Sequence, residues 1–250
     1  MKNIPKNYDE QLKEIVETAK NIFGDNLLNI TLGGSAGKGL VIQNWSDIDL
    51  YLVLKEYNID QVFIFMKKIE KYKIHTGTTF YTLDEISNNI IDGKTKMMCY
   101  EKQEFNLNPT IYGDDVFNKV EYDKVRENDI EVFPSILHDF RRRFIKLLSK
   151  NEKVEKTYIK KMFVLIKCLL NIYGVFSFGY ENCLKEFLRI VELETGLTCD
   201  IDFDIIAVIN NLENSKKDVA DFSIFLLNFI SSSYILKGDK KWIKELVLEQ

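Results

Sequence analysis

Asp47 and Asp49, within Ser46-Asp47-Ile48-Asp49-Leu50, are the residues whose type and spacing point most directly to chemistry. Residues i and i+2 of a strand share a face, so both carboxylates project to one side, about 6–7 Å apart along the strand. Acids that close repel one another and are stable as ions chiefly with a cation between them. Mg²⁺ suits such a pair, because it takes one or two carboxylates and completes its shell with phosphate oxygens and water. Standing alone, the same pair would also fit a strand end with two solvated acids.

Gly33-Gly34-Ser35 is the second chemical feature, with Ser35 twelve residues before Asp47. Glycines let a backbone approach phosphate oxygens without a Cβ clash, and a hydroxyl with free N–H groups at a helix start can bind them. By itself the tripeptide is a weak signal and more often an ordinary turn. The run from Gly33 to Lys38 also resembles part of a P-loop, but Gly37-Lys38 comes one residue early. Gly39 then stands where that motif needs a Mg²⁺-binding hydroxyl.

The elements that must position these residues are legible around them. Leu12, Ile15, Val16, Ala19, Ile22 and Phe23 recur at helical spacing and are stopped by Gly24. Leu27 to Leu32 reads as a buried strand leading into the glycines, and Asn44-Trp45-Ser46 as a turn before the acids. From Asp47 to Leu54 the chain alternates, with Asp47, Asp49, Tyr51 and Val53 on one side and Ile48, Leu50, Leu52 and Leu54 on the other. Asn58 to Tyr72 is expected to be a helix burying Ile59, Val62, Phe63, Met66 and Ile69. Ile74 to Thr82, rich in β-branched and aromatic residues, is expected to be another strand. A mixed helical and loop region runs on to Ile111-Tyr112-Gly113.

From Asp129 the pattern is helical almost throughout. Phe133, Ile136, Leu137, Phe140, Phe144 and Leu147 form one stripe, and Tyr158 to Tyr173 is apolar on nearly every side, as at the centre of a bundle. Tyr180–Glu194, Phe203–Leu212 and Asp218–Leu236 continue the series. Strands first and helices after predict two units joined around residues 114–130.

A 250-residue chain that is 46% hydrophobic and 29% charged has the composition of a soluble globular protein. No stretch supplies the ~20 uninterrupted apolar residues of a membrane span, and the start carries no signal-peptide core, so a cytoplasmic protein is expected. The cysteines at 99, 168, 183 and 199 form no Cys-x-x-Cys pair, which disfavours a zinc site. Cys168, in an apolar helical run, is expected to be a small buried residue. A net charge of −4 argues against an extensive nucleic-acid surface. Arg141-Arg142-Arg143, Lys160-Lys161 and Lys240-Lys241 read as solvated helix faces.

Together, in this order and spacing, the Gly-Ser turn and the Asp-x-Asp strand resemble the signature of the polymerase-β-type nucleotidyltransferases over residues 28–54. The resemblance implies Asp47 and Asp49 as metal ligands and catalytic residues, and Gly33, Gly34 and Ser35 against the phosphates of a nucleoside triphosphate. It also implies in-line attack of an acceptor hydroxyl on the α-phosphate, with two metal ions assisting attack and departure of pyrophosphate.

Beyond residue 54 the chain is similar to the kanamycin and related antibiotic nucleotidyltransferases, at Lys73-Ile74-His75 running to Leu83-Asp84-Glu85-Ile86 and at Pro109-Thr110-Ile111-Tyr112-Gly113. This implies an α+β chain: a small mixed-sheet nucleotidyltransferase domain at 1–128 and an all-α helical bundle at 129–250. The implied reaction moves a nucleoside monophosphate, AMP from ATP with Mg²⁺, onto a hydroxyl of a small molecule such as an aminoglycoside. A toxin-type enzyme acting on tRNA or protein, and an inactive nucleotide-binding relative, stay open.

The family places a third metal-binding carboxylate on the strand after the Asp pair, but Ile74 to Tyr81 contains no acid. Thr78 or a neighbour would take that position, with Glu101 or Glu104 as substitutes from elsewhere. Asp139 is the candidate general base and Lys161, ahead of Lys167, the candidate triphosphate-binding lysine. Asp114, Asp115, Glu121, Asp123, Glu127, Asp129 and Glu131 outnumber Lys119, Lys124 and Arg126 in the connecting stretch. They would either line an acidic cleft that attracts a polycationic acceptor or form a solvated linker.

Overall fold

Two apolar alternating segments flanking the glycines become the central strands of a four-stranded sheet. In the computed structural model, residues 4–120, 125–149, 153–196 and 203–233 are described. Strands β1 (Leu27–Gly33), β2 (Ile48–Leu54), β3 (Thr76–Thr82) and β4 (Thr110–Gly113) stand in the order β3-β2-β1-β4. β1 runs antiparallel to both β2 and β4, whereas β2 and β3 are parallel, so the sheet is mixed. β4 lies in the stretch expected only to be mixed helix and loop.

Period-2 alternation gives each sheet face its own core. Ile30, Leu32, Ile48, Leu50, Leu52 and Leu54 pack under helices α1 (Lys6–Phe23) and α3 (Ile59–Ile69), against Leu12, Ile15, Ala19, Phe23 and Phe65. A short helical turn α2 (Gly34–Gly37) follows β1, and α4 (Leu83–Ser87) and α5 (Gly93–Phe105) follow β3. Tyr51, Val53 and Tyr81 face the other way, toward Ile86 of α4, Met98 and Cys99 of α5, and Phe117.

α3 is phased differently from the expectation. Ile59 and Phe63 are 78% and 58% exposed, while Phe65 and Ile69 are buried, with Val62 and Met66 packed beside them. Positions 62, 65, 66 and 69 form a true i, i+3, i+4, i+7 stripe, which residues 59 and 63 flank. The Phe63 ring lies on the surface beneath the Lys67 ammonium, 4.5 Å from its centroid.

The chain divides into two compact units, 1–125 and 126–250. The second contains α6 (Val125–Ser149), α7 (Lys156–Ile172), α8 (Tyr180–Thr195), α9 (Ile205–Asn210) and α10 (Lys216–Ser232). α6 buries Phe133, Leu137, Phe140, Phe144 and Leu147, and α7 is buried along most of its length. Aromatic rings join the rest: Phe187 of α8 packs edge-on to Phe222 and Phe229 of α10, and Phe203 stacks on Phe222 at 4.2 Å. A small mixed sheet with flanking helices, followed by a helical region, is thus an α+β architecture.

Cys99, Cys168 and Cys183 are buried thiols, and no described helix is long and apolar enough to cross a membrane. Cys199, Glu121, Asp123, Lys124, Lys240-Lys241 and the end of the last expected helix lie outside the described residues.

Candidate active site

The glycine turn and the acid strand meet because their strands are hydrogen-bonded neighbours. In the β1–β2 ladder Gly33 pairs with Asp49, which brings the turn after β1 to the start of β2. Gly34 has φ +61°, a left-handed backbone conformation that glycine adopts without penalty. A Cβ there would also lie 2.0 Å from Asp49 Oδ2, so the close approach requires glycine. A Cβ on Gly33 would meet the Tyr51 ring at 2.5 Å.

Asp49 is part-exposed at this strand end, and its carboxylate is directed at the turn rather than away from it. Beneath it the buried Tyr51 phenol is pushed far above its ordinary pKa, first by burial and then by the Asp49 charge. Tyr51 is therefore a neutral floor to the site, with no anion added below the acids. Asp47 immediately precedes β2. Its turn is fastened from α1: the Tyr8 hydroxyl donates to the Ser46 carbonyl at 2.8 Å, and the Ser46 hydroxyl accepts from the Ile42 N–H at 2.9 Å. Burial, then the Asp47 charge, raises the Tyr8 phenol.

On β3 the residue in register with Asp49 is Gly77, while Thr78 pairs with Leu50 and Thr79 with Tyr51. Thr78 turns to the opposite face, its hydroxyl 3.1 Å from Met66 Sδ. The position beside Asp49 is thus held by the neighbour of Thr78, a glycine, whose Cβ would come 3.2 Å from Asp49 Oδ1.

Glu101 is committed elsewhere. Its carboxylate pairs with Lys38 at 2.5 Å, both side chains largely buried, and accepts from Asn108 Nδ2 at 2.9 Å. The Asn108 N–H in turn donates to the Gly37 carbonyl at 2.9 Å. Lys38 therefore ties the glycine turn to α5 and is not the phosphate lysine of a P-loop. Glu104 is exposed. Among the described residues no group of three or more His, Cys, Asp and Glu side chains could hold a metal ion.

The two candidates from the helical unit are partners of one another. Asp139 accepts from Arg143 Nε at 3.1 Å and lies 3.6 Å from Lys161 Nζ. The Arg143 hydrogen bond, helped by Lys161, holds the Asp139 carboxyl below the usual range, which weakens it as a proton acceptor. The acidic connecting stretch is partly spent on structure as well. Asp115 pairs with buried Lys102 at 2.9 Å, and Asp129, inside α6, accepts from Asn171 at 2.7 Å.

Lys94 is a site residue that local reading of the sequence passed over. It lies in the first turn of α5, and its ammonium is 3.6 Å from Asp49 Oδ1. Asp92 caps that helix, accepting from the Thr95 N–H at 2.9 Å and from the Tyr81 hydroxyl of β3 at 2.7 Å. Burial tends to raise the Asp92 carboxyl, but the bonds from Tyr81 and from the Thr95 and Lys94 backbone outweigh it and hold it low. The Asp92-Gly93-Lys94-Thr95 run marks a helix start, yet nothing local says that the helix crosses over Asp49.

The donor set fits a hard divalent cation: carboxylate oxygens at the start of a strand, with Asp49 part-exposed and packed beside a glycine turn. The family profile described as nucleotidyltransferase domain matches residues 11–159, a span holding the turn, both acids and α5. Among solved structures, the chain is similar to spectinomycin adenyltransferase AAD(9) from Enterococcus faecialis, solved with ATP and spectinomycin. The two are 16% identical, with a TM-score of 0.44 over 84% of this chain and 99% of that one. No match is found among curated proteins.

Proposed function

The chain belongs to the nucleotidyltransferase-domain family, and from that premise we propose that it transfers a nucleoside monophosphate, AMP from ATP, onto a hydroxyl of a small acceptor of the aminoglycoside type. The observation that supports this reading is the close approach of the Asp49 carboxylate to Gly34, which sets the acid strand against the glycine turn. Asp47 and Asp49 would hold Mg²⁺. When bound, Mg²⁺ neutralises phosphate charge and favours attack at the α-phosphate. Gly33 and Gly34 leave room for the Tyr51 ring and the Asp49 carboxylate against the turn, and Ser35 offers its hydroxyl to the phosphate chain. Tyr8, through Ser46, keeps the Asp47 turn in place.

Asp139 and Lys161 enter the proposal as a coupled pair, Asp139 receiving the acceptor's proton and Lys161 steadying the triphosphate.

A second reading, a protein that binds metal and nucleotide without transferring, is favoured by Gly77 standing in register with Asp49 where an acid would complete the metal set. One experiment separates the two. The protein is incubated with labelled ATP, Mg²⁺ and a panel of aminoglycosides, and pyrophosphate and adenylylated product are scored. Product with any acceptor supports transfer. Tight nucleotide binding without product across the panel supports the second reading and overturns the first.

A further inference from the structure

Lys94 has no part in the reading above, yet it touches the residue that reading depends on most. Its ammonium is 3.6 Å from Asp49 Oδ1, the same oxygen that Gly77 leaves uncovered, while Oδ2 faces Gly34. The backbone that carries Lys94 is anchored by Asp92, Tyr81 and Thr95. The side chain itself is 69% exposed and free to swing on its four-carbon stem. An ion pair this exposed and this long is held weakly.

We propose, resting on Asp49 as a metal ligand, that Lys94 is a resident cation. It neutralises Asp49 in the free protein and is displaced to the phosphate chain when metal and nucleotide bind together. Two cations cannot share one carboxylate oxygen within about 4 Å without strong repulsion. Any divalent ion taken up by Asp49 must therefore expel the ammonium. A metal arriving alone offers Lys94 only water in exchange, whereas a metal carrying a triphosphate offers it a new anion. Lys94 thus opposes binding of the bare metal and favours binding of the metal–nucleotide complex, which couples the two ligands.

The test compares the intact protein with Lys94→Met, Lys94→Arg and Asp49→Asn. Mn²⁺ affinity is read by electron paramagnetic resonance, first alone and then with a non-hydrolysable ATP analogue, and folding is checked by circular dichroism. Lys94→Met is expected to bind Mn²⁺ alone several-fold tighter and the Mn²⁺–analogue complex several-fold weaker, while Lys94→Arg behaves as the parent. Opposed movement of the two affinities is the signature, because a merely structural role would move both in one direction. Unchanged or weaker Mn²⁺ binding in Lys94→Met, or an unchanged analogue affinity, overturns the inference and leaves Asp49 as a ligand. Undiminished Mn²⁺ binding in Asp49→Asn overturns the reading of Asp49 itself.

Discussion

The carboxylate of Asp49 rests against the backbone of Gly34, so closely that a Cβ on residue 34 would lie 2.0 Å from Oδ2. The two residues are brought together by the pairing of Gly33 with Asp49 across β1 and β2. Turn and acid are therefore packed directly together, and changes at either should register at the other.

Asp49→Asn keeps the shape of the side chain and removes its charge. Transfer is expected to fall about 100-fold or more, the equivalent of roughly 3 kcal/mol in the barrier. Stability should change little, because Asp49 is part-exposed and its pair with Lys94 is a surface one. Steady-state kinetics beside thermal melting measure both.

Gly34→Ala should damage fold and site together. The left-handed backbone at φ +61° is strained for alanine, by about 1 kcal/mol or more, and the methyl group drives the Asp49 carboxylate aside. The expected result is a lower urea midpoint and a weakened Mn²⁺ affinity in a protein that still folds. Unchanged Mn²⁺ affinity would show that the turn does not position the acid.

Glu101→Gln preserves the bond from Asn108 but removes the carboxylate charge that lies 2.5 Å from the largely buried Lys38 ammonium. Breaking one side of a buried pair costs about 3–5 kcal/mol, whereas replacing both sides by apolar residues is often nearly neutral. The double variant Lys38→Met with Glu101→Leu should therefore be more stable than Glu101→Gln alone, a comparison that denaturant titration resolves.

Asp92 supplies the pH dependence. Its carboxyl is held low in the folded protein, so its contribution to stability is fully present above the ordinary carboxylate value, about 3.9, and is lost as pH falls through the folded value. Melting temperature should drop more steeply below about pH 4 in the parent than in Asp92→Asn, which has no proton to gain. Equal slopes would remove Asp92 as the anchor of α5.

The strands around the site were legible because their signals are local. Alternation from Ile48 to Leu54, the apolar run before Gly33 and the helical stripes of α1, α6 and α7 each follow from the period of a single element. α3 was misphased where Ile59 and Phe63 looked as apolar as any core residue, since hydrophobicity alone does not say which side meets the sheet. β4 escaped because its four residues are too few to show a period and it forms by pairing with β1.

By itself the sequence determined that an Asp-x-Asp pair follows a glycine turn in an α+β chain, since residue order and strand periodicity dictate that much. Only the tertiary structure decided that Gly77 stands beside Asp49, that Glu101 is occupied by Lys38, and that Lys94 reaches Asp49. Those are contacts between residues 28 to 63 positions apart, set by sheet register and by the path of α5 over the sheet. Register and packing are properties of the whole fold, and no local pattern of side chains encodes them.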